Sequence, residues 1–227
     1  MSKSITFTEK QLKGSTLVDL GYRDYIAARF LLNNRFIIQG LTLASTAIEK
    51  YLKALIVFTS NKQEKYNVHL DNIGKLKNIL QKNNCDVFKN FDPIFIKILE
   101  DVYKIRYYDT LKKPVTIGFY LNQFMGELDH NIHLMETSIN PEISHNPLTP
   151  YKRAVKNKDP HLWKNNFILN KKDKKVFMGK PTTAFSVHIY ISSISHTENT
   201  VVGREIKPPQ YEGKLEAYSE FQTDWSI

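Results

Sequence analysis

A chain of 227 residues with 41% hydrophobic and 24% charged residues can bury a core without a disulfide or a structural metal. Its one cysteine, Cys85, excludes an intrachain disulfide and favours a reducing compartment. The net charge of +9 suits either a polyanionic partner or plain solubility, and charges such as Glu49 and Lys53 break the apolar stretches that a membrane span would need.

Met1 to Lys10 has no apolar h-region, which reads against a signal peptide and toward a cytoplasmic protein. Residues 1–17 are polar and read as an N-terminal arm. From Val18, the residues Tyr22, Tyr25, Ile26, Phe30 and Ile37 recur at helical spacing, with break signals at Asn33-Asn34 and Gly40. The clearest helix follows. Ala44, Ala47, Ile48, Tyr51, Leu52 and Leu55 form one apolar stripe, and Glu49 and Lys53 sit four apart on another face. A polar loop covers Thr59–Asn67, and a third helix is predicted over 68–82, with Leu70, Ile73, Leu76, Ile79 and Leu80 inward.

Asp92 and Pro93 predict the N-cap and first turn of a fourth helix. Phe95, Leu99, Val102 and Arg106 share one stripe of it, so an arginine projects from the end of an apolar face and requires a partner. After Pro114, a fifth helix is predicted from Thr116 to Ile139 on the seam Ile117, Leu121, Phe124, Leu128, Met135 and Ile139. Pro141, Pro147 and Pro150 mark a linker over 141–160. Residues 161–227 read as a basic, partly β extension. Within it, Phe185, Val187, Ile189 and Ile191 alternate as in a strand, Lys171–Lys175 reads as a turn between strands, and 207–227 reads as weakly structured. Residues 151–180 carry ten Lys or Arg against Asp159 and Asp173, whereas 181–227 is net acidic, so the basic segment can grip phosphates or fold on acidic groups.

Arg106, followed by Tyr107, Tyr108 and Asp109, is the first candidate site. The tyrosines around it, Tyr103 included, suit base stacking or core packing. Glu127 and His130 have the E-x-x-H spacing of di-iron bundles, but no second copy exists, so they read as surface residues. His133 and Asp129 nearby fall short of a closed metal site. His188, His196, Ser186 and Ser192 have no nucleophile elbow, and no phosphate-binding glycine loop occurs. No metal and no cofactor is expected.

Three stretches resemble the HEPN domain family. Ala44–Leu55, ASTAIEKYLKAL, resembles its second helix; His69-Leu70-Asp71 resembles its H-x-L region; Tyr103–Tyr107, YKIRY, resembles its Y-x-x-R-Y element. The resemblance spans about residues 18–138 and implies a mainly α protein, a four- or five-helix up-and-down bundle over 18–140 with a small β-containing C-terminal part. It further implies a homodimer, a toxin–antitoxin or phage-defence setting, and for some members a nucleotidyltransferase-type partner. Nuclease members carry R-x(4–6)-H, in which the arginine stabilises the phosphorane and the histidine moves the 2′-hydroxyl proton. Here Arg106 matches, but Leu111, Lys112 and Lys113 occupy the histidine positions. The leading expectation is therefore RNA or nucleotide binding by Glu49, Lys53, Arg106, Tyr107 and Asp109, with Lys112, Lys113, Lys152, Arg153, Lys171 and Lys172 on the nucleic-acid backbone. One alternative is a divergent metal-independent endoribonuclease with Arg106 catalytic. The other is a protein-interaction module in which Arg106 only forms an ion pair with Glu49 or Asp109.

Overall fold

The structure, a computed structural model, describes residues 8–60, 69–106, 114–139, 148–191, 197–215 and 218. The protein is mainly helical with a small three-stranded antiparallel sheet. In chain order the elements are α1 (Glu9–Asn33), α2 (Ile37–Thr59), α3 (Ile73–Lys82), α4 (Pro93–Ile105), β1 (Val115–Tyr120), α5 (Leu121–Ser138), α6 (Pro150–Lys156), α7 (Pro160–Trp163), α8 (Lys174–Met178), β2 (Thr182–Ile191) and β3 (Thr197–Ile206), with 3-10 turns at Leu70–Asn72 and Val87–Asn90. No helix among the described residues is long and apolar enough to cross a membrane.

Helix α1 begins at Glu9, inside the segment expected to be an arm, because Thr8 and Gln11 form a capping box there. It ends in a tight turn in which Arg35 adopts φ +64°. Helix α2 therefore starts at Ile37, and Gly40 lies within it, against Leu32 of α1. The predicted stripe from Ala44 to Leu55 is wholly buried. Phe30 is the exception among the predicted inward residues: it is 56% exposed. Asp92 caps α4 by accepting from Ile94 and Phe95 N–H at 2.8 and 3.0 Å, and its other oxygen accepts the Leu215 N–H at 2.9 Å.

The fifth helix is shorter than expected. Residues 115–120 form β1, since Val115, Thr116, Ile117, Phe119 and Tyr120 are strand formers with a partner, and β2 pairs with them in antiparallel register, Ile117 opposite Val187 and Phe119 opposite Phe185. β3 pairs with the other edge of β2. Ile117 and Phe119 still point into the core, so their burial was foreseeable while their backbone was not.

Two further expectations are corrected. Residues 150–156 of the expected linker form α6, because Thr149 caps it by accepting the Lys152 N–H and also donates its hydroxyl to buried Glu136 at 2.6 Å. Lys171–Lys175 is not a strand-to-strand turn: Lys171 adopts φ +52° and Asp173 caps the short helix α8. The C-terminal part does not pack apart from the bundle. Tyr151, Leu162, Phe167, Phe177, Phe185, Tyr211 and Leu215 join the same apolar core as α1, α2, α4 and α5.

Candidate functional site

The α2 face that packs on α4 is small at the contact. Ser45 is fully buried and donates its hydroxyl to the Leu99 carbonyl at 3.3 Å. This close approach brings the C-cap of α4, Arg106, alongside Glu49 of α2, with Nη1 3.8 Å from Oε2. The Arg106 guanidinium also lies over the Tyr103 ring, 5.2 Å from its centroid, where the ring face favours a cation.

Glu49 Oε1 gathers two further groups. Lys53 donates Nζ at 2.6 Å, one helical turn away, and His69 Nδ1 lies at 2.9 Å. His69 Nδ1 is also 3.2 Å from Lys53 Nζ, so this nitrogen either donates to the carboxylate or accepts from the ammonium. Leu70, fully buried, anchors the turn that presents His69, and the imidazole packs on Tyr103 with ring centroids 5.8 Å apart. Burial pushes the Glu49 carboxyl up, but hydrogen bonds from Lys53 and His69 outweigh it and hold the carboxyl below its ordinary range. Glu49 is therefore a carboxylate at neutral pH.

Of the predicted ligand set, the fold brings together Glu49, Lys53 and Arg106. Tyr107, Asp109, Lys112 and Lys113 lie outside the described residues. Lys152 and Arg153 sit on α6, which packs on α1 and α7, and donate to the carbonyls of Ile139 and Leu148. Lys171 and Lys172 are exposed just before α8, which packs on α5. These four belong to elements other than the α2–α4 pair.

The residue that sequence reasoning missed is His69. In the sequence it stands only as part of the H-x-L stretch, with no role attached. The signal was its position one residue before Leu70, the first apolar residue of the third helical pattern, which fixes where its backbone must lie.

The α5 polar residues form a separate, internal network. Glu127 was expected on the surface and is buried. It accepts from Lys174 Nζ at 2.7 Å and from the Tyr211 hydroxyl at 3.1 Å. Asp129 is taken by Arg29 and Tyr25, and Glu136 by the Tyr51 and Thr149 hydroxyls, both at 2.6 Å. His133 Nδ1 meets the Tyr151 hydroxyl at 2.9 Å. Ser186 and His188 are within 3.0 Å on β2, and Thr116 of β1 lies 3.0 Å from the other nitrogen of the ring. Among the described residues, no group of three or more His, Cys, Asp or Glu is placed to hold a metal ion. Comparison with protein-family models, with curated proteins and with solved structures finds no match for this chain.

Proposed function

We propose that the protein is a HEPN-like module that binds RNA or a nucleotide through phosphate at the Glu49–Lys53–His69–Arg106 cluster. One observation carries this reading: among the described residues, Glu49 gathers Lys53, Arg106 and a part-exposed imidazole at one place. Arg106 is already stacked on Tyr103, so a phosphate meets an oriented guanidinium and not a free-swinging one. The toxin–antitoxin or phage-defence setting, and the homodimer, follow from the family resemblance. The test is RNA affinity as a function of salt. Wild-type affinity should fall steeply with salt, and Arg106→Ala should weaken binding and reduce the salt slope by about one. Unchanged affinity in Arg106→Ala sinks the proposal.

A second reading, a metal-independent endoribonuclease, is favoured by the contact of His69 with Glu49. If Nδ1–H donates to the carboxylate, Nε2 keeps its lone pair and can take the proton of a ribose 2′-hydroxyl. The 2′-oxygen then attacks the adjacent phosphorus, and the P–O5′ bond breaks. The 5′-oxygen leaves with a proton from water, giving a 2′,3′-cyclic phosphate. Arg106 would stabilise the charged phosphorane. RNA cleavage in the absence of divalent metal, lost in both His69→Ala and Arg106→Ala, supports this reading. No cleavage by the wild type leaves binding alone.

A further inference from the structure

A cavity of about 300 Å³ lies between the last turn of α1 and α7, at the small end of the range for ligand pockets. Its apolar lining comes from Ile26, Phe30 and Pro160. Asn33, Asn34, His161 and Lys164 complete it, and no acidic side chain lines it.

The walls are fixed from beneath. Buried Arg29 donates Nε to the His161 carbonyl at 3.4 Å and Nη2 to the Lys164 carbonyl, while its Nη1 pairs with Asp129. Asp159 caps α7 by accepting the His161 N–H at 2.9 Å. Asn166, fully buried, accepts the Leu169 N–H at 3.2 Å and holds the following turn. A cavity so supported needs little reorganisation on binding. Phe30, with over half its surface exposed, offers a ring to stack on. Asn33 and Asn34 donate their amide nitrogens to the carbonyls of Arg29 and Phe30, at 2.8 and 2.7 Å. That leaves both amide oxygens as acceptors, at the end of α1 where the helix dipole also favours hydrogen-bond donors. Lys164 supplies the one permanent charge of the lining, and it is positive.

We propose that this cavity binds a nucleotide whose base carries an exocyclic amine. The base stacks on Phe30, its amine donates to Asn33 and Asn34, and the nucleotide's phosphate pairs with Lys164. This site is separate from the Glu49 cluster and does not depend on it. The same chemistry is offered by a free adenine nucleotide and by an unpaired adenosine of an RNA chain.

The test is calorimetric titration of the full chain with AMP, IMP and a short oligoadenylate. In Arg106→Ala, which disables the Glu49 cluster, AMP should still saturate one site, and IMP, which lacks the amine, should bind there about tenfold more weakly or worse. Adding Phe30→Ala or Lys164→Ala to that background should weaken AMP about tenfold. Both cavity variants should fold, since Phe30 lies mostly outside the core and Arg29 holds the Lys164 carbonyl, not its ammonium. Oligoadenylate binding that is tighter than AMP and equally sensitive to Phe30→Ala identifies RNA as the source; no gain identifies the free nucleotide. The proposal is overturned by no AMP binding up to about 10 mM, by equal affinity for AMP and IMP, or by loss in Arg106→Ala without loss in Phe30→Ala. That last outcome would place AMP at the Glu49 cluster, so the two sites fail separately.

Discussion

Arg29 of α1 and Asp129 of α5 form an ion pair with both side chains shut off from solvent, at 1% and 0% exposure. The Tyr25 hydroxyl donates to the same carboxylate oxygen at 2.7 Å. The remaining N–H groups of Arg29 reach the His161 and Lys164 carbonyls, so one guanidinium joins the bundle to α7. Burial pushes the Asp129 carboxyl up, and the Arg29 charge only partly draws it back.

Breaking this pair from one side should cost more than removing it. Asp129→Ala leaves a guanidinium buried without a counter-charge, which costs about 3–5 kcal/mol. The double change Arg29→Met, Asp129→Leu should recover part of that loss, though it also gives up the ties to α7. Urea unfolding of the three proteins measures this. A wild-type midpoint in Asp129→Ala would mean that Arg29 escapes to solvent.

Glu49→Gln should separate the roles of the candidate site. Removing the carboxylate raises the local charge by one and releases Lys53 and Arg106 from their shared partner. RNA affinity should rise severalfold at low salt, and its salt slope should steepen. If the endoribonuclease reading holds, cleavage should fall in the same variant, because His69 loses the group that sets its tautomer. Weaker binding in Glu49→Gln would instead mean that Glu49 chiefly positions the two cations.

The acid sensitivity of the fold should trace in part to His130. Burial, helped by the charges of Lys174 and His133, pushes its imidazole down to about 4. An imidazole in the unfolded chain titrates at about 6.5. Across the window between these values the unfolded chain holds a proton that the folded chain does not, so stability falls as pH drops from neutrality toward 4. Glu127 works the other way. Burial raises its carboxyl above the ordinary value despite Lys174, so the folded chain protonates it first and regains stability on acidification. The gap between urea midpoints at pH 7 and pH 5 should narrow in His130→Gln. An NMR titration that puts the His130 midpoint near 6.5 would remove the basis for this.

The parts of the fold written in local patterns were legible. The stripe of α2, the Asp92–Pro93 start of α4 and the period-two run of β2 each need only neighbours in sequence. β1 was not legible, since Ile117 and Phe119 fit both a helical seam and a strand, and the choice rests on β2, about 70 residues away in register. Glu127 misled for a similar reason: its spacing from His130 read as a surface position, but α8 brings Lys174 to it. In the candidate site, helical spacing paired Glu49 with Lys53 and put Arg106 at the end of an apolar stripe, while the family resemblance supplied the grouping of the three. His69 depends on a turn whose position is set by Leu70 burying elsewhere.

Two glycines make a final contrast between backbone and side-chain neighbours. A Cβ on Gly118 of β1 would sit 1.5 Å from the Tyr218 carbonyl oxygen, which is main chain and cannot swing away. The Tyr218 ring packs on Tyr120 at 5.3 Å, so Tyr218 lies against β1 at this point. A Cβ on Gly126 of α5 would meet the end of the Met178 side chain, 2.4 Å from Cε and 2.8 Å from Sδ, with Phe177 Cε1 at an ordinary 3.4 Å. Methionine has three side-chain torsions with which to move, and alanine gains about 1 kcal/mol of helix propensity over glycine. Gly126→Ala should therefore be near neutral in urea unfolding. Gly118→Ala should lose about 1–3 kcal/mol. Equal stability of the two variants would mean that Tyr218 does not lie on Gly118 in solution.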